Sequence, residues 1–527
     1  MRSPFPDVEI PETSVFAYLF GEMSDEDRLR PALIDGTSGD VTTYGELVEQ
    51  VEAVAGALAS RGISPGDVVA LHSPNSPAFA VVFHGILRAG GVATTVNPLS
   101  TPVEIESQLQ DSGAALLFTV SALLPAALQA TQAAGIAQRQ IFAIDEAPGF
   151  EALADLVAEK HPAPSVSFDP ATHLAVLPYS SGTTGHPKGV MLTHRNLVAN
   201  VAQAGPMVGV GSDDVVLAVL PFSHIYGMTV LLDLALKERA SLVTMPRFDL
   251  AEFLRIIQDH RTTFVFIAPP IAVALAKHPA VDDYDLTSVR VIMSGAAPLD
   301  ELVGNAVAKR LDARMMQGFG MTEMSPVSHV IPIDRIDIPV GTIGLIVPNM
   351  EVRLVDPASG QEIEQPADGV SAPGELLCKG PNVMLGYLGN EQATAAAFTD
   401  DGFLRTGDLA TVSAEGYFTI VDRLKELIKY KGHQVAPAEL EALLLSHPSI
   451  ADAAVIGTKD DEGEEVPKAF VVLQPGAELA SDEVIAFIAD RVAPYKKVRQ
   501  VEMIASIPKS SSGKILRKDL RAREVDV

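Results

Sequence analysis

Val289-Arg-Val-Ile-Met-Ser294 is a short apolar run, and Leu299-Asp-Glu-Leu-Val-Gly-Asn-Ala-Val-Ala-Lys-Arg-Leu311 follows it with its apolar residues at helical spacing. A run of that length closed by small polar residues reads as a buried strand, and the segment after it as a helix lying on one face of a sheet. The same succession occurs at residues 68–72 then 78–89, and at 264–268 then 271–278. Strand-then-helix repetition predicts an α/β architecture of largely parallel sheets flanked by helices.

The chain has 527 residues, which is too long for one core and suits two or three domains. With 47% hydrophobic and 20% charged residues it has the balance of a globular protein rather than a disordered one. The formal net charge of −28 opposes nucleic acid and anionic membranes as partners, so an anionic ligand requires a local cluster of cations. Cys378 is the one cysteine, which excludes an internal disulfide framework and thiolate-rich metal sites and fits a reducing, cytoplasmic setting. Residues 1–12 carry three carboxylates and no apolar core, so no secretory leader is expected. Residues 112–138 are uncharged and long enough to span a bilayer, but Gly113, Pro125, Gln129, Gln132 and Gly135 interrupt them. They read as a strand over 114–120 and a helix over 122–134.

At Asp422 the texture changes to the basic stretch Arg423-Leu-Lys-Glu-Leu-Ile-Lys-Tyr-Lys-Gly432, followed by a helix opening at Pro437. Apolar runs at 453–458 and 469–473, a helix over 481–492 and a polar tail complete a small α+β unit. The expected division is a large unit, 1–422, and a small one, 423–527, with a hinge near Lys425.

Between a strand at 174–178 and a helix opening at Thr193 lies Tyr179-Ser-Ser-Gly-Thr-Thr-Gly-His-Pro-Lys-Gly-Val190. Gly182, Gly185 and Gly189 allow successive backbone N–H groups to face an anion, four hydroxyls add donors and Lys188 adds charge. It is not a Walker A sequence, whose glycine spacing and final Ser or Thr it lacks. Alone, such a segment also fits a surface turn.

The loop resembles the signature of the adenylate-forming superfamily of acyl-CoA ligases, luciferases and peptide-synthetase adenylation domains. Further motifs follow in that family's order: Leu220-Pro-Phe-Ser-His-Ile-Tyr-Gly227, Gln317-Gly-Phe-Gly-Met-Thr-Glu323, Gly374-Glu375, Thr406-Gly-Asp408, the stretch from Asp422 to Gly432, and Pro508-Lys-Ser-Ser-Ser-Gly-Lys-Ile515. His-Ile-Tyr-Gly and the run from Lys425 to Leu440 are most similar to 4-coumarate–CoA ligases. The resemblance implies a large N-terminal domain of stacked mixed sheets flanked by helices, and a small α+β C-terminal domain that rotates between half-reactions. It also implies ATP and coenzyme A as co-substrates, Mg²⁺ as cofactor and a small carboxylic acid as the third reactant.

Residue by residue, the resemblance implies that Ser180, Ser181, Gly182, Thr183, Thr184, Gly185 and Lys188 hold phosphates, with Thr184 also catalytic. Gln317, Gly318, Phe319 and Thr322 would line the adenylate, Asp408 and Arg423 would hold the ribose, and Glu323 would ligate Mg²⁺. Phe319 departs from the Tyr found in many relatives. Lys514 would stabilise the attack of carboxylate on phosphate. His224, Tyr226, Gly295 and Ala296, with Gln317 and Gly318, would form the acyl pocket, where His224 either packs on the carboxylate or gates the pantetheine tunnel. Lys425 marks the hinge and, like Lys429, would reach the nucleotide; Lys429 and Gln434 would act in one domain orientation, while Arg247, Lys431 and Gly432 would meet coenzyme A.

The implied chemistry is attack of a carboxylate on the ATP α-phosphate, giving acyl-AMP and pyrophosphate, then attack of the thiol on the carbonyl with loss of AMP. The segment 220–227 holds no carboxylate to pair with an α-amino group, and the chain has no tryptophan to close a pocket around acetate. An aryl-propenoate such as 4-coumarate leads as the acid, and a medium-chain fatty acid follows. Competing readings are a luciferase-like oxygenase and a nucleotide-binding scaffold; no carrier-protein domain is expected.

Overall fold

The structure, a computed structural model, describes residues 1–180, 187–430, 433–460, 465–510 and 513–525, and elements are counted among these. The run at 291–294 forms the strand Val291–Ser294, parallel to Phe264–Ile267 on one side and to Arg314–Gly320 on the other. Beyond Phe264–Ile267 the sheet continues in parallel through Val215–Ala218 and Ser241–Thr244 to Pro31–Asp35. Antiparallel strands close both edges, Val41–Thr43 at one and Val327–Val330 with Leu345–Ile346 at the other.

A second sheet is built around Val68–His72, parallel to Val92–Val96 and to Leu116–Thr119, with Lys188–Thr193 entering antiparallel to Leu174–Val176. Parallel strands covered on both faces are buried at every position rather than at alternate ones, and Val92–Val96, Leu116–Thr119, Phe264–Ile267 and Val291–Ser294, mostly apolar, are buried along their whole length. The helix Pro77–Arg88 seals the gap between the sheets: Phe79 and Phe83 are fully buried, and Phe79 packs against Phe222 at 5.5 Å between ring centroids. Residues 112–138 form the expected strand and helix, Leu116–Thr119 and Leu124–Ala134, and the helix ends on Gly135 at a φ of 77° that favours glycine. Among the described residues no helix is long and apolar enough to cross a membrane.

An antiparallel sheet, Glu351–Val355, Gly374–Lys379, Leu404–Val412 and Phe418–Arg423 with the short edge Glu362–Ile363, completes the large N-terminal domain. The main core ends at Phe418 and a separate core begins at Ile428. This smaller C-terminal domain has a three-stranded sheet, Ile450–Lys459, Glu465–Leu473 and Gln500–Met503, carrying the helices Pro437–Leu445 and Ser481–Ala489. The expected polar tail is in part a helix, Arg517–Val525, anchored by Leu520, which is buried against Ala454, Ile456 and Phe470.

Candidate active site

The ends of these strands surround a cavity of about 700 Å³. In a protein of net charge −28 its lining holds five cations, Lys188, Arg405, Arg423, Lys425 and Lys514, against the carboxylates Glu323 and Glu375. That local reversal of sign is what an anionic ligand needs.

One wall is the turn after the strand Val291–Ser294 and the segment from Leu220. Asn75 pins that segment to the second sheet: its Nδ2 donates to the carbonyls of Ala218 and Leu220 at 2.9 and 2.8 Å, and its Oδ1 accepts from Phe222 N–H at 2.7 Å. Thr95 Oγ1 donates to the Ser223 carbonyl, so His224 emerges from a backbone held on both sides. His224 Nδ1 accepts from Tyr226 N–H at 3.3 Å, which leaves the proton on Nε2, and burial together with Lys514 pushes its pKa down to about 4. It is therefore neutral near pH 7. Tyr226 opens a π-helical segment, Tyr226–Asp233, a geometry that recurs at functional sites. Its hydroxyl donates to the Met293 carbonyl and its ring lies over Gly295, where a Cβ would sit 2.7 Å from ring carbon. Ala296, next to it, holds a φ of 71°.

The opposite wall joins three strands. Lys188 pairs with Ser180, and Val190 with Tyr387, across antiparallel ladders. The Lys188 ammonium stands 4.8 Å from the centre of the Tyr387 ring. The Tyr387 hydroxyl and Ser180 Oγ both donate to Glu323 Oε1, at 2.9 and 3.2 Å, so Glu323 is fixed although buried. Gly318, Phe319 and Thr322 line the cavity beside it.

The floor pairs Asp408 with Arg423 across neighbouring strands, Oδ1 to Nε at 3.1 Å. Asp408 lies behind Thr406 and Gly407, which face the cavity, and it is 2% exposed with Oδ2 unpartnered. Burial raises its pKa, and Arg423 and Lys514 oppose that shift. Lys514 enters from the C-terminal domain on a turn in which its N–H donates to Ser510 Oγ and Gly513 holds a φ of 84°. Burial and the charge of Arg423 lower the Lys514 pKa to about 8, against the pull of Asp408 and Glu323.

The cavity thus brings together Ser180, Lys188, His224, Tyr226, Gly295, Ala296, Gly318, Phe319, Thr322, Glu323, Arg423, Lys425 and Lys514. Gln317 is placed elsewhere: its amide donates to the Val340 and Thr342 carbonyls and accepts from Leu299 N–H, fixing loops rather than facing the cavity. Arg247 is exposed between Ser241–Thr244 and Leu250–His260, outside the lining. Lys429 is also outside it, exposed on the strand Ile428–Tyr430, where its backbone opposes Gln434. Ser181, Gly182, Thr183, Thr184, Gly185, Lys431 and Gly432 lie outside the described residues. Tyr387, Asn75, Arg405 and Thr406 gain site roles that sequence reasoning did not assign, although Thr406-Gly-Asp408 had marked the place of one of them.

Residues 23–388 match the family described as AMP-binding enzyme, and residues 439–514 match the AMP-binding enzyme C-terminal domain. The chain belongs to this family and is an ATP-dependent, AMP-forming acid–thiol ligase. Within it, the chain is 43% identical to 4-coumarate–CoA ligase 2 of Nicotiana tabacum, covering 99% of this chain and 96% of that protein. It is 42% identical to 4-coumarate–CoA ligase 5 of Oryza sativa subsp. japonica, covering 99% and 97%. Its fold matches ATP-bound MatB from Rhodopseudomonas palustris with a TM-score of 0.87, at 28% identity over 98% of this chain and 99% of the other. The anthranilate CoA ligase AuaEII, in complex with anthranoyl-AMP, matches with a TM-score of 0.89, at 25% identity over 97% of each chain.

Proposed function

We propose that the enzyme joins an aryl-propenoic acid of the 4-coumarate type to coenzyme A, through its acyl adenylate, and that the large unit ends and the small one begins at Asp422–Arg423. The observation that carries this reading is the meeting of Lys514 with Arg423, Asp408 and Glu323 at one cavity whose other wall is Tyr226, Met293 and Gly295. Names of the curated relatives support the acid and the thiol.

In the first half-reaction a carboxylate oxygen attacks the α-phosphorus of ATP in line and pyrophosphate leaves. Both reactants are anions, so a cation aimed at the reacting oxygens stabilises the transition state more than the ground state. Lys514 holds that role, Lys188 and Thr322 with the 180–185 loop hold the phosphates, Asp408 and Arg423 orient the ribose, and Phe319 flanks the adenine. Glu323 would hold Mg²⁺. Its carboxylate is fixed by two hydroxyls, and no cluster of three or more metal-ligating side chains occurs among the described residues, which suits an ion that takes few carboxylates plus phosphates and water. That ion would neutralise phosphate charge when bound.

In the second half-reaction the thiol attacks the acyl carbonyl and AMP departs. No enzyme nucleophile is required; positioning and charge supply the rate. Arg247, Lys431 and Gly432 are assigned to coenzyme A, and Lys429 and Gln434 to catalysis in a second orientation of the small unit about Lys425. His224, neutral, packs beside the reacting carboxylate. Cys378 as a buried free thiol supports a cytoplasmic location.

Acid-dependent ATP–pyrophosphate exchange with cinnamic, benzoic and C6–C12 fatty acids tests the reading, followed by thioester detection on adding coenzyme A. Preference for hydroxycinnamates is expected. Preference for the fatty acids would replace the acid while keeping the reaction, and exchange without thioester would remove coenzyme A as acceptor.

A further inference from the structure

Lys514 belongs to a domain with its own core, so something must hold that domain where the lysine reaches the cavity. The helix Pro269–Lys277, which continues directly from the central strand Phe264–Ile267, meets the C-terminal domain at both ends. At its start, Ala268 and Pro270 lie under Gly513, where a Cβ would come within 3.0 Å of Ala268 Cβ, one residue from Lys514. At its end, Lys277 Nζ donates to the Leu445 carbonyl at 2.7 Å and the Ile450 carbonyl at 3.1 Å, with the His447 carbonyl at 3.5 Å. Leu445 is the last residue of the helix Pro437–Leu445. The final carbonyls of a helix have no partners within it and carry the negative end of its dipole, so an ammonium is a matched cap. Beside this contact the facing surfaces leave a cleft lined by Asp300, Leu302, Glu439, Leu443 and Arg491, so the seam is not closed by apolar packing there.

We propose that Lys277 is a positioning residue for adenylation: by capping the C-terminal domain's helix from a helix rooted in the central sheet, it sets the domain orientation in which Lys514 faces the α-phosphate. The inference rests on the proposed role of Lys514. As AMP leaves in the second half-reaction its phosphate oxygen takes up negative charge, but that step is assigned to the second orientation of the small unit, with Lys429 and Gln434 rather than Lys514 at the site, so the two half-reactions should separate.

The test compares Lys277→Met and Lys277→Arg with the unaltered enzyme in two assays: acid-dependent ATP–pyrophosphate exchange, and thioester formation from added, chemically made acyl adenylate with coenzyme A. Loss of the charge-assisted bonds in Lys277→Met should lower exchange by about ten-fold and leave thioester formation within about two-fold, while Lys277→Arg keeps a charged donor and restores most of the exchange. Unchanged exchange in Lys277→Met, or a parallel fall in both assays, overturns the proposal. Normal exchange by Lys514→Ala would instead overturn the underlying role of Lys514.

Discussion

The two domains contribute to the cavity in different ways. In the N-terminal domain and at its boundary the site residues are fixed by strand pairing and buried amides: Asp408 opposes Arg423, the first residue of the small unit, Lys188 opposes Ser180, and Asn75 spends its whole amide on the backbone before His224. The C-terminal domain contributes Lys514 on a turn, beyond a separate core, with Lys277 and Ala268 as contacts at its seam. Groups that bind are built into one core, and the charge that drives the first chemical step arrives from another. Binding and adenylation should therefore be separable by mutation.

The largest effect should follow from removing the delivered charge. Lys514→Ala should slow ATP–pyrophosphate exchange by roughly 10²–10³-fold, about 2.7–4 kcal/mol of transition-state stabilisation, while AMP affinity by calorimetry changes little. A parallel loss of affinity would merge the two contributions. On the binding side, Asp408→Asn removes the carboxylate that holds Arg423, and the KM for ATP should rise by on the order of ten-fold or more.

Titration joins the two regions. The Lys514 pKa is lowered to about 8, so the cation is present below that pH and lost above it. Log kcat/KM for ATP, which reports the free enzyme, should turn down on its alkaline side near pH 8. Asp408 pulls that value upward, so Asp408→Asn should move the limb to lower pH and Lys514→Arg should abolish it.

Smaller effects belong to the acyl wall and the adenine. Gly295→Ala would set a methyl 2.7 Å from the Tyr226 ring at the cavity wall, forcing one of them to shift, and should lower kcat/KM for aryl acids by about ten-fold relative to short-chain acids. Phe319→Tyr should alter the KM for ATP by less than about two-fold, because one hydroxyl at a half-exposed position makes a small difference.

Much of the large domain was legible from periodicity. The strand Val68–His72 has the expected bounds, and the helix after Val291–Ser294 begins two residues later than its pattern, at Glu301, because Asp300 caps it by accepting from Leu302 and Val303 N–H. The C-terminal helix was not legible: among its described residues Leu520 is the one buried apolar side chain, too little for an apolar stripe, and the ion pair of Arg517 with Glu441 that also anchors it is a tertiary contact. At the site, motif order located most of the lining, but side-chain direction is a tertiary property. Gln317 sits among cavity residues in sequence yet pairs with backbone on its other side, and Tyr387 reaches Glu323 only because Gly386–Tyr387 joins the edge of the second sheet. Lys277 has no sequence signal, since its partners are carbonyls 168 to 173 residues away.

The central claim is attack of the acid on the α-phosphate, and isotope transfer tests it most directly. With the preferred acid labelled by ¹⁸O in both carboxylate oxygens, a complete turnover with ATP and coenzyme A should place one labelled oxygen in AMP and none in pyrophosphate. Label in inorganic phosphate or pyrophosphate, or none in AMP, would contradict the acyl adenylate and the role given to Lys514 with it.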